Sequence, residues 1–82
     1  MRLLYFGRLA DLAGTRSEDV ELPPEVGTVA ALRFWLAETR PELREALYGS
    51  IVRALIDDAY ARDDQSLDGV AGLAFIPPVS GG

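Results

Sequence analysis

The stretch "TVAALRFWLAETRP", residues 28–41, carries the clearest helical pattern in the chain. Thr28 is a good N-cap, because its hydroxyl can accept from a first-turn N–H that has no partner inside the helix. Val29, Leu32, Trp35 and Leu36 recur at helical spacing and form one apolar face. Phe34 falls on the opposite side near Glu38 and is expected to be half exposed there. Pro41 ends the pattern, since the residue before a proline is pushed out of the helical region. The same proline suits the first turn of a second helix, "PELREALY".

Strands flank this helix on both sides. "RLLYF", residues 2–6, is short, apolar and aromatic and is bounded by Gly7, which predicts a buried strand. "RLADLA", residues 8–13, predicts a short helical turn with Gly14 as its C-cap. "SEDVEL" alternates and stops at Pro23-Pro24, as a second strand would. Beyond the helices come "IVRALID" (51–57), a short return strand at Tyr60 after an Asp57-Asp58 turn, and "LAFIPP" (73–78). The prolines end the pairing of that last strand because they have no N–H to donate. A mixed sheet wrapped around one main helix satisfies this order: an α+β roll of the ubiquitin-like β-grasp type, with the first and last strands side by side at its centre. Residues 1–76 are expected to form the domain, and 77–82, "PPVSGG", an extended and flexible C-terminal tail.

Composition narrows the chemistry. The chain has 82 residues, 49% of them hydrophobic, and a net charge of −5. That size suits one small domain, and that charge argues against a nucleic-acid partner. There is no Cys and no His, and all eight basic residues are Arg. A thiolate nucleophile, a Cys or His metal site, an imidazole base and a lysine Schiff base are therefore all excluded. No metal or cofactor bound by this chain is expected. The N-terminal stretch is too broken by charge for a signal peptide, and no apolar run approaches a membrane span, so a cytoplasmic chain without a membrane partner is expected.

"LAFIPPVSGG" resembles the C-terminus of the small, sulfur-carrying subunits of molybdopterin synthase. "LYFGRLADLAGT" is similar to that family's first strand and following turn, and "TVAALRFWLAETRPEL" to its helix. The resemblance implies a ubiquitin-activating-like adenylyltransferase that uses ATP to adenylate the carboxylate of Gly82. Sulfur then displaces the adenylate to leave a thiocarboxylate. The tail enters the large synthase subunit and gives its sulfur to cyclic pyranopterin monophosphate, within a heterotetramer of two large and two small subunits. The tail chemistry agrees. Pro77 and Pro78 favour an extended approach, Val79 and Ser80 offer one apolar and one small polar contact, and Gly81 and Gly82 keep the end slim enough to thread a channel. Other readings are a thiocarboxylate carrier for thiamine, cysteine or tRNA thiolation, a ubiquitin-like protein modifier, or an adaptor whose tail is inert.

With a single main helix, one sheet face stays open. Alternation is taken to turn Leu3, Tyr5, Ala74 and Ile76 toward the helix, which places Phe6 and Phe75 together on the open face. An exposed aromatic pair beside the tail is a docking signal. Phe6, Arg8, Tyr60 and Phe75 are the expected partner interface. The chain departs from the family pattern at Ala10, where a basic residue is common, so that a salt bridge to the partner is lost or moved to Arg8. It departs also at Asp57-Asp58 and in "LDGVAGLAF", where the turn over Asp68–Gly72 and its charged contacts differ.

Overall fold

A computed structural model describes residues 1–49 and 52–77. The element order is β1 (Arg2–Tyr5), α1 (Arg8–Ala13), β2 (Ser17–Asp19), α2 (Val29–Thr39), α3 (Pro41–Gly49), β3 (Arg53–Ile56), β4 (Ala59–Ala61) and β5 (Gly72–Ile76). Five strands form one sheet in the order β2-β1-β5-β3-β4. β1 and β5 pair parallel at the centre, and the remaining pairs are antiparallel. This is the expected mixed α+β sheet. Ile51 and Pro78, the outer residues of two expected strands, lie outside the described residues.

Local chemistry explains the boundaries. The Thr28 hydroxyl accepts from the Ala31 N–H at 3.2 Å. The N–H groups of Val29 and Ala30, which have no partner within the helix, donate to the carbonyls of Gln65 and Asp63. Loop 62–71 thus caps α2 from outside. Gly14 ends α1 in the left-handed region at φ 76, its N–H on the Ala10 carbonyl at 2.9 Å. Asp57 and Asp58, at φ 52 and 65, make the two-residue turn between β3 and β4, where both positions need positive φ.

The core lies between the sheet and the helices. Leu3, Tyr5, Ala54, Ile56, Leu73 and Phe75 come from the sheet, Val29, Leu32 and Leu36 from α2, Leu43 and Leu47 from α3, and Leu9 from α1. Trp35 is only half buried at its edge. Phe34 is 61% exposed on α2, more open than its expected half-exposed position.

One guanidinium stitches the helix layer to the sheet. Arg40, just past α2, donates through one nitrogen to both Glu18 carboxylate oxygens at 2.9 and 2.6 Å. Its Nε reaches Glu42 at 2.7 Å, and its other nitrogen reaches the Ala13 carbonyl. The Tyr5 hydroxyl donates to the same Glu18 at 2.7 Å. β1, β2, the end of α1 and the start of α3 are therefore tied together.

Burial, and then the bond to Glu18, push the Tyr5 phenol above its ordinary value of about 10. A raised folded-state value means that the unfolded phenol ionises first. Tyr5 therefore contributes stability that is fully present below about pH 10 and is lost progressively as pH climbs toward the folded-state value. Denaturant titrations of wild type should show this alkaline decline. Tyr5→Phe should flatten it while costing about 1 kcal/mol at neutral pH.

Candidate functional site

β1 and β5 set both the open sheet face and the exit of the tail. Their register pairs Leu3 with Leu73, Leu4 with Ala74 and Tyr5 with Phe75. Residues paired across a ladder share a face, so Leu73 (1% exposed) and Phe75 (0%) go inward with Leu3 and Tyr5. This corrects the expected position of Phe75. Its ring belongs to the core, cannot meet a partner on the open face, and carries the Arg33 guanidinium 5.6 Å from its centroid. Ala74 and Ile76, expected under the helix, sit on the open side instead. The strand "LAFI" is apolar on both faces, so its alternation has no contrast from which to read the phase.

The open face is apolar but differently composed. One row across it runs Leu4, Ala74, Leu55, Tyr60, following the pairing from β1 through β5 and β3 to β4. Leu4 is 37% exposed and Tyr60 65%. The next row toward the tail holds Phe6 (48% exposed), Ile76 and Arg53, with Arg53 opposite Ile76 in the ladder. The Phe6 N–H donates to the Phe75 carbonyl at 3.3 Å, which keeps Phe6 beside the end of β5. Phe6 and Tyr60 are thus on the open face as expected. Arg8 is exposed at the start of α1, and Ala10 is half buried against the core. Leu4 shares the side of Phe6, as alternation along β1 requires, and Leu55, Ile76 and Arg53 join that face through the register of β3 and β5.

Pro77, the first residue after β5, packs against the domain. Pro77 is half buried, and its ring lies over Gly7, which adopts φ 56 and ψ −132. A Cβ on Gly7 would come 3.1 Å from Pro77 Cγ, so both the backbone angle and the close approach call for glycine. Pro78, Val79, Ser80, Gly81 and Gly82 lie outside the described residues. The turn before β5 is well formed despite its unusual sequence. Gly69 takes φ 76, the Asp68 N–H meets the Ser66 hydroxyl at 3.0 Å, and Leu67 is buried. No described helix is long and apolar enough to cross a membrane.

A family model described as the ThiS family matches residues 3–82. The human protein named molybdopterin synthase sulfur carrier subunit is 34% identical over 85 residues, covering 100% of this chain and 93% of its own. Among solved structures, SAMP1 from Haloferax volcanii superposes with a TM-score of 0.74 at 27% identity, over 99% of this chain and 97% of its own. A Pyrococcus furiosus structure assigned as molybdopterin converting factor, subunit 1, gives 0.75 at 26% identity, over 95% of each chain. Both have the ubiquitin-like fold described above.

The opposite placement of the two phenylalanines has a measurable consequence. In urea unfolding, Phe75→Ala should cost about 3–5 kcal/mol, as truncation of a fully buried aromatic does, whereas Phe6→Ala should cost less than about 1 kcal/mol. Similar losses at both positions would contradict the register.

Proposed function

This chain belongs to the ThiS family, and we propose that within it the protein is the sulfur carrier subunit of a molybdopterin synthase. The observation that carries the proposal is the end-to-end similarity to the human sulfur carrier subunit, supported by a family match that runs through Gly82. The residue inventory agrees, because a chain without Cys, His or Lys has few groups of its own to catalyse with. In this reading the chain supplies a reactive end, and its partners supply the machinery.

The chemistry proceeds in two transfers. A carboxylate resists sulfur nucleophiles until one oxygen becomes part of a leaving group. The Gly82 carboxylate attacks the α-phosphorus of ATP on a ubiquitin-activating-like adenylyltransferase, which forms the acyl-adenylate and releases pyrophosphate. Sulfide then attacks the carbonyl carbon, and AMP leaves with the oxygen, so that a thiocarboxylate remains. In the large synthase subunit its sulfur bonds to a carbon of cyclic pyranopterin monophosphate, and water cleaves the acyl–sulfur bond, which returns the Gly82 carboxylate. Pro77, held against Gly7, starts the tail in a defined direction and lowers the ordering cost of threading. Pro78 extends that start, Val79 and Ser80 contact the channel, and Gly81 and Gly82 pass its narrowest part. The open face around Phe6 and Tyr60, flanked by Arg8, is the docking surface for the large subunit. The working assembly is a cytoplasmic heterotetramer of two large and two small subunits, and ATP is consumed by the activating partner.

A second reading is favoured by the likeness to SAMP1, identified among the solved structures as a small archaeal modifier protein. In that reading the activated Gly82 is joined to amines of other proteins.

Intact-mass analysis separates the two. Incubation with the cognate adenylyltransferase, ATP and a sulfide source should add the mass difference between one sulfur and one oxygen, and deletion of Gly82 should abolish it. Subsequent addition of the large subunit and cyclic pyranopterin monophosphate should return the carboxylate form with molybdopterin as product. Amide-linked conjugates without thiocarboxylate would support the modifier reading instead.

A further inference from the structure

Arg53 stands out among the arginines of this acidic chain. Arg2, Arg33, Arg40 and Arg62 each have a carboxylate within 4 Å, at Asp19, Asp63, Glu18 and Asp64. Among the described residues Arg8, Arg16, Arg44 and Arg53 have none, and of these four Arg53 alone lies over an aromatic ring. Its guanidinium lies over the Tyr60 ring, 5.0 Å from the centroid. Both residues are exposed on the open sheet face, and Arg53 lies opposite Ile76, the residue just before Pro77. A cation therefore lies over an aromatic ring, one ladder position from the base of the tail. The attraction between the two holds the guanidinium in place and leaves N–H groups available for a partner.

From this geometry we propose that Arg53, braced by Tyr60, is a recognition residue for a carboxylate on the rim of the channel that takes in the tail. The inference rests on the sulfur-carrier reading and names the occupant as an acidic side chain of the large synthase subunit. Local charge, against the net charge, carries the choice. The chain carries 13 acidic and 8 basic residues, so its average field attracts basic surfaces and not acidic ones. An unpaired cation beside the tail gives the docking face a local sign opposite to that of the molecule. A partner with an acid at the channel mouth then gains orientation as well as attraction, because only one placement of the tail brings the two together. The guanidinium also allows the pairing to be bidentate, which a lysine could not offer.

The test is the association of the unactivated full chain with its cognate large subunit, followed by stopped-flow fluorescence at low and high salt. Arg53→Gln makes the chain more negative by one charge. It should slow association about fivefold at low salt, and the difference should shrink as salt rises. Arg53→Glu should slow it further, and Arg53→Lys should recover only part of the loss. Thermal unfolding of each variant reports whether the sheet is intact. Three results overturn the proposal: an unchanged rate for folded Arg53→Gln, a change without salt dependence, or faster association, which would mean a basic channel mouth. Failure of wild type to bind the large subunit would remove the sulfur-carrier reading as well. Normal wild-type binding with an indifferent Arg53→Gln would remove the role of Arg53 alone.

Discussion

Parallel pairing of β1 with β5 governs the molecule. It joins residues 2–5 to 72–75, nearly the whole chain apart, and its register decides which side chains face α2. Leu3, Tyr5, Leu73 and Phe75 go inward together, and the open face is what remains. The same pairing brings the end of β5 against Gly7, so Pro77 leaves the sheet beside Phe6, with Arg53 across the ladder from Ile76. A fold closed by its first and last strands rests on contacts far apart in sequence, which makes closure comparatively slow.

Around that pair the remaining interactions act as braces. Arg40 gathers Glu18, Glu42 and the Ala13 carbonyl, and Tyr5 reaches the same Glu18 from the central strand. The network holds the helix layer at a fixed distance from the sheet on the side away from the open face. Rigidity there matters for a carrier, because a tail aimed from a mobile base would lose the ordering advantage of its prolines.

Sequence patterns were informative where one residue type has one physical meaning. Thr28 as a cap, Pro41 as a stop and first-turn residue, Gly14 in the left-handed region and the Asp57-Asp58 turn all sit where local chemistry puts them. The β-grasp order followed from those punctuation marks. What the sequence concealed was long-range. "LAFI" is apolar on both faces, so the phase of β5, and with it the fate of Phe75, depended on a partner strand about seventy residues away. Likewise the Arg40–Glu18 pair joins positions 22 apart, and nothing in either neighbourhood signals it. Arg53 and Tyr60, too, meet only because the β3–β4 pairing brings them together.

The two outermost strands, Ser17–Asp19 and Ala59–Ala61, are only three residues each. A sheet bare on one side, with Leu4 and Phe6 open to water, is a natural template for edge-to-edge stacking into fibrils. Brief margins leave an incoming copy too few free backbone groups to grip. Asp19 and Arg62, at or just past the ends of these strands, place charge where a further ladder would have to continue. The protein can thus carry a greasy face without offering a sheet edge along which further copies could add.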